Sequence, residues 1–167
     1  MENPALSRNR LSSGLRSPIL ATVVLLVFAG TAFATVSSNF SAALTSRGTL
    51  SNDMHVNLDA IKFQTKGAVD FVTATVTIGP SGSSGWHKHP GLVLVTVQSG
   101  SLVVYDASCN ATIQPTGSAF VESGSPLLVR NESTTSGATT LVTYIEVAGT
   151  PNSSLRIDEA NPGCPQS

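Results

Sequence analysis

Three histidines occur in these 167 residues, and two of them stand at positions i and i+2 within Trp86-His87-Lys88-His89-Pro90-Gly91. On an extended strand successive side chains point to opposite faces, so His87 and His89 project one way while Trp86 and Lys88 project the other. Two imidazoles one pleat apart can grip a single metal ion. The plainer alternative is a solvated pair. Tight transition-metal sites take three or four protein ligands, so the chemistry turns on what else converges here.

Other chemistry is sparse. No Ser-His-Asp or Cys-His set can be assembled, and no pair of carboxylates stands out for acid–base work. The two cysteines, Cys109 and Cys164, are spaced nothing like a Cys-x-x-Cys redox motif. In an exported chain they are expected to form one disulfide tying the C-terminus to a central loop, worth about 4 kcal/mol in the chain-entropy model. Two free thiols are the alternative. Asn39, Asn110, Asn131 and Asn152 fit the Asn-x-Ser/Thr glycosylation pattern, which a chain so rich in Ser and Thr also produces by chance.

The elements that must position the histidines begin after an unusual start. Arg8, Arg10 and Arg16 precede an apolar stretch from Ile19 to Ala29, and Ala32-Phe33-Ala34 offers a small-x-small cleavage site. That layout predicts a signal peptide over residues 1–34, removed after Ala34. An uncleaved membrane anchor is the rival, because Pro18 to Val36 carries no charge. Either way the domain is expected outside the cytoplasm, with the membrane a partner only through this segment. Beyond residue 34, six basic residues face nine acidic ones, a formal balance of −3. No basic face remains to attract nucleic acid.

The rest reads as strands and turns. Residues 35–50 are Ser/Ala-rich and suggest a linker or a frayed helix. Strict alternation from Phe71 to Ile78 predicts a half-buried strand, and Gly79 to Gly85 a flexible loop leading into the histidines. Residues 92–98 and 102–105, joined by Ser99-Gly100-Ser101, read as a hairpin. Short strands follow over residues 109–113, 119–122, 127–131 and 139–147. Such spacing indicates an all-β sandwich or barrel over residues 51–149, with 150–167 as a tail.

Between Thr77 and Gly149 the chain resembles small single-domain cupins, in particular exported bacterial ones. The resemblance rests on Gly85-Trp86-His87-Lys88-His89-Pro90-Gly91, on Leu94 to Leu102 with Tyr105-Asp106, on Gly117 to Glu122, and on Val129-Arg130-Asn131-Glu132. It implies a jelly-roll β-barrel, often dimeric, with any site in the barrel mouth. It also implies a divalent metal such as Zn, Mn, Fe or Ni on three histidines and one glutamate. His87 and His89 match the first two ligands. The glutamate falls at Val93 and the third histidine at Leu127, neither of which can ligate. Glu122 is the best substitute if it turns inward; a solvent-facing strand-end carboxylate is the alternative. His55 has nothing to aim it at the site, Asp106 reads as a turn residue, and Arg130 as an ion-pair partner of Glu132 or Asp106.

Three functions stay open at this stage. One is a small-molecule or weak metal-binding module with a two-histidine site. The second is a metal-dependent enzyme of the dioxygenase or isomerase kind, which needs a third ligand and an open coordination position. The third is a metal-free structural barrel. Val93 and Leu127 make the expected pocket more apolar, which suits a small ligand in the barrel.

Overall fold

A computed structural model describes residues 33–166. The signal or anchor segment lies outside them, apart from Phe33 and Ala34. Among the described residues no helix is long and apolar enough to cross a membrane.

The strands run in chain order: β1 (Ser38–Leu50), β2 (His55–Leu58), β3 (Ile61–Gln64), β4 (Val69–Ser83), β5 (His87–Lys88) and β6 (Leu92–Ser99). Then come β7 (Ser101–Asp106), β8 (Ala111–Pro115), β9 (Ala119–Ser123), β10 (Leu127–Arg130), β11 (Ala138–Val147) and β12 (Ile157–Asp158). The chain is all-β, and every pairing is antiparallel. One five-stranded face has the order β1-β4-β11-β6-β9, and the other β12-β5-β10-β7-β8. The long β4 links them through its last residue, where Ser83 pairs with Arg130. The result is the expected jelly-roll barrel, with β2 and β3 forming a separate hairpin.

Alternation fills the space between the faces. Val72, Ala74, Val76 and Ile78 of β4 point inward, as do Val93, Val95 and Val97 of β6, Leu127 and Val129 of β10, and Val142 of β11. Each valine, leucine or isoleucine among them, once buried, contributes about 1.5–3 kcal/mol. The intervening Leu128 points out the other side. It packs with Trp86, Tyr105 and Cys164 into a second small core outside the barrel, where Trp86 and Leu128 are 0% exposed.

Three sequence expectations are corrected. Most of the stretch 35–50, expected as a linker or a frayed helix, is instead β1 (Ser38–Leu50), paired along its length with β4. Alternate side chains of that Ser/Ala stretch face the barrel, and Phe40 reaches the core. The loop after Ile78 is a continuation of β4. Gly82 packs so closely there that a Cβ would meet the Asn39 carbonyl at 2.9 Å. The hairpin at Ser99-Gly100-Ser101 is a corner. β6 pairs with β11 and β9, while β7 pairs with β10 and β8, so the chain crosses between faces at Gly100. Gly100 has φ +78°, and a Cβ there would lie 2.7 Å from the Gly137 carbonyl. Glycine is required at that bend for both reasons.

Two devices fix the segment after β11, which returns to the site. At its start, the buried Asp70 accepts from Thr49 Oγ1 (2.6 Å), Gly149 N (2.9 Å) and Arg47 Nη1 (2.6 Å). Arg47 Nη2 also donates to Thr150 O and Asn152 Oδ1. At its end, the Cys109–Cys164 disulfide spans 55 residues and holds the tail over Trp86. Trp86 Nε1 donates to Gln166 O, and Glu159 N donates to Trp86 O. Asn131, one of the four Asn-x-Ser/Thr sites, is buried and donates to three carbonyls, so it offers no surface to a glycan.

The Cys109→Ser/Cys164→Ser double variant is expected to lose about 4 kcal/mol, lowering the melting temperature by roughly 10–15 °C. Trp86, the sole tryptophan, will report it as a red shift of emission. The Thr49 and Gly149 hydrogen bonds, with Arg47, hold the Asp70 carboxyl below its ordinary value against the opposing effect of burial. A group whose pKa is lower folded than unfolded stabilises above about pH 4, and that stability is lost as pH falls through the folded value. Asp70→Asn should therefore lower the melting temperature at pH 7 and flatten its decline towards pH 3, followed by thermal melts across that range.

Candidate functional site

β5 is only two residues long, yet it is held on both sides. Leu127 of β10 lies opposite His87, while Asp158 and Ile157 of β12 lie opposite His87 and Lys88. Pleating sends Trp86 to the outer core and His87 and His89 into the barrel, as the i, i+2 spacing predicts. The two rings stand 5.0 Å apart, nearly perpendicular. Gly91 lets the chain turn beside them. A Cβ there would collide with the Ile145 carbonyl and the Glu146 carboxylate.

Each ring is oriented from behind. His87 Nδ1 bonds the Gly85 carbonyl at 2.9 Å, and His89 Nδ1 bonds the Leu155 carbonyl at 2.6 Å. A carbonyl only accepts, so both Nδ1 atoms carry a proton, and each Nε2 is left to present a lone pair when its ring is neutral or a second N–H when it is protonated. Both Nε2 atoms face Glu122 Oε2, at 2.9 Å from His89 and 3.8 Å from His87. His87, His89 and Glu122 are 4%, 4% and 5% exposed, so the cluster is buried. One ligand atom from each lies within 4.8 Å of the others, the spacing of a group that could hold a metal.

Glu122 arrives by strand register. On β9 it lies directly opposite Val93 of β6, and directly opposed residues share a face. The resemblance puts a glutamate at Val93, and here the carboxylate reaches the same interior from the neighbouring strand. Leu127, where a third histidine would fall, is a buried core residue. Burial pushes the Glu122 carboxyl up, but hydrogen bonding and attraction from the His87 and His89 rings outweigh it and hold it at about 2.

A cavity of about 260 Å³ opens beside the three residues. Its walls are mainly apolar, with Tyr144, Thr140, Ser84 and Arg156 as further polar members. Tyr144 stacks edge-on to His89, with ring centroids 5.4 Å apart. Burial, then the Glu122 charge, pushes its hydroxyl up to about 12. Glu146 is also buried inside the barrel. Burial pushes its carboxyl up, the Gly91 N–H and His89 pull it down, and its Oε1 has no partner among the described residues. Alternation along residues 138–146 is the sequence signal that puts Tyr144 and Glu146 on the inner face. The Leu155 carbonyl has no such signal, because any residue supplies one.

The remaining candidates lie elsewhere. His55 is exposed on the separate hairpin. Asp106 closes a turn by accepting from the Ser108 and Asn110 backbone N–H groups, as expected. Arg130 makes no ion pair among the described residues, because Glu132 accepts instead from the Tyr105 hydroxyl.

Two five-stranded antiparallel faces, crossed at a glycine corner, enclose a histidine pair at the barrel mouth. The barrel is an antiparallel double-sheet jelly roll. No family model and no curated protein matches the chain. Among solved structures, an RmlC-like cupin from Desulfovibrio desulfuricans is 18% identical over 80% of this chain and 97% of its own, with a TM-score of 0.44. An uncharacterised double-stranded β-helix protein from Klebsiella pneumoniae is 17% identical over 53% and 73%, with a TM-score of 0.44. An oxalate oxidase is 20% identical over 47% of this chain and 46% of its own, with a TM-score of 0.40. The chain thus spans less than half the length of that oxidase.

The close fit at Gly91 is testable. Gly91→Ala should cost about 1–3 kcal/mol by overpacking against β11. Gly67→Ala, which meets open space, should leave the melting temperature nearly unchanged.

Proposed function

We propose that this protein binds a divalent transition metal through His87, His89 and Glu122 and holds a small molecule in the adjoining cavity. The observation that carries this reading is the convergence of three buried lone-pair donors with both Nδ1 protons already committed. One proton can bridge His89 to Glu122, but the Nε2 of His87 would then still face carboxylate oxygen. One cation of suitable size satisfies all three. Two nitrogens and one oxygen suit zinc, manganese, iron or nickel. The backbone carbonyls behind the rings are the outer partners that metal-ligating histidines ordinarily have.

Three protein ligands leave coordination positions free, and a cavity lies beside them. That favours a metal-dependent enzyme as the second reading, ahead of a structural barrel. A bound metal would supply Lewis-acid or redox chemistry there. The chain's own part is to fix the two rings, exclude water with apolar walls, and present the Tyr144 hydroxyl, which stays protonated at neutral pH. The disulfide supports an oxidising, extracytoplasmic location.

Metal content decides the matter. After incubation with Zn, Mn, Fe(II) or Ni and extensive dialysis, plasma mass spectrometry of the untagged protein should find about one ion per chain for the preferred metal. The His87→Ala/His89→Ala variant should retain none, and Glu122→Gln should bind at least tenfold more weakly. Acidification should release the metal, since protons compete for both rings. Negligible metal in the parent with every ion would overturn the reading.

A further inference from the structure

Among the described residues Arg156 is the lysine or arginine that lines the cavity, and it belongs to the segment that returns after β11. Arg156 follows Leu155, whose carbonyl orients His89, so the guanidinium and the metal-ligand candidates are set by the same few residues. Arg156 Nε donates to Asp158 Oδ1 at 2.7 Å and Nη2 to Ser84 O at 2.5 Å, while the guanidinium lies over the Phe40 ring, 5.6 Å from its centroid. Three partners hold a side chain that is otherwise costly to order. Two of its five N–H donors are used, and the others have no partner among the described residues.

Much of the rest of the wall is hydrocarbon. Val76, Val95, Phe120, Val142 and Leu155 contribute no hydrogen-bonding group to a ligand. A volume of about 260 Å³ falls just below the ~300–1,000 Å³ of sites for drug-sized molecules, so the occupant is smaller than these. Resting on the metal reading above, the balance at the site is a divalent cation and a guanidinium against the Glu122 and Asp158 carboxylates, which leaves an excess of positive charge beside apolar walls. Among polar groups of this size, a planar carboxylate matches the guanidinium fork best.

We propose that the cavity binds a small organic carboxylate, with its acid group on Arg156 and its hydrocarbon part on the apolar wall beside His87, His89 and Glu122. Asp158 is a competitor for the same guanidinium. It is more than half exposed and contributes little to the core, so its removal frees Arg156 without emptying the site.

The test is calorimetric titration of the zinc-loaded protein with hexanoate, and with 1-hexanol as a neutral match. Hexanoate should bind more tightly than hexanol. Arg156→Gln should weaken hexanoate about tenfold or more and leave hexanol unchanged. Asp158→Asn should keep or strengthen hexanoate binding, which a merely structural role for the Arg156–Asp158 pair would not allow. Equal binding of hexanoate by the parent and Arg156→Gln would overturn the proposal, as would weakening by Asp158→Asn, or no hexanoate binding to protein that holds zinc stoichiometrically. If zinc itself fails to bind, the metal reading falls separately and the titration is run on metal-free protein. An Arg156-dependent hexanoate signal there supports the carboxylate site, and its absence overturns it.

Discussion

The hydrogen bonds from His87 to the Gly85 carbonyl and from His89 to the Leu155 carbonyl are the constraint on which the interior chemistry depends. They commit one nitrogen of each ring, and so decide what the other nitrogen can do. With Glu122 Oε2 at 2.9 Å from His89 Nε2, the barrel interior gathers two imidazoles and a carboxylate, all buried. A proton or a metal cation shared among them offsets the cost of burying the carboxylate. The supporting architecture keeps the three in place: a two-residue strand clasped between β10 and β12, a disulfide over its outer face, and the Asp70–Arg47 clamp at the far end of the returning segment.

The sequence revealed more about the fold than about the site, for physical reasons. Period-two alternation marks any strand with one wet face, so the region around β4 and β11 is readable from Val72 to Ile78 and from Ala138 to Glu146. β1 escaped because serine and alanine carry little hydrophobic signal; its inward positions contact the core mainly through Phe40. The corner at Gly100 reads locally like a hairpin, since both need a residue at positive φ. Only the partners of β6 and β7, far away in sequence, distinguish the two. Glu122 was legible as a candidate but not as an inward-facing group, because its face depends on register with Val93.

The same distinction explains Arg130 and the Leu155 carbonyl. Arg130 sits among charges in sequence, yet Tyr105 takes Glu132 by reaching across the outer core. Leu155 offers a backbone atom, which carries no residue-type signature. Sequence patterns report which side chains are apolar and how often they recur; they do not report which carbonyl lies behind a ring. The second core around Trp86 lies between these cases. The i, i+2 rule put its tryptophan opposite the histidines. The cover that buries it comes from the far C-terminus.

That cover has a consequence for synthesis. Histidines 87 and 89 emerge early, but the carbonyl that orients His89 comes from residue 155, and the strand that flanks β5 from residues 157 and 158. Domains fold as units and chains emerge N-terminus first. A growing chain therefore carries its paired imidazoles unaligned until residues 155 to 158 are made. A product truncated before Leu155 would lack both the carbonyl that orients His89 and the strand that flanks β5.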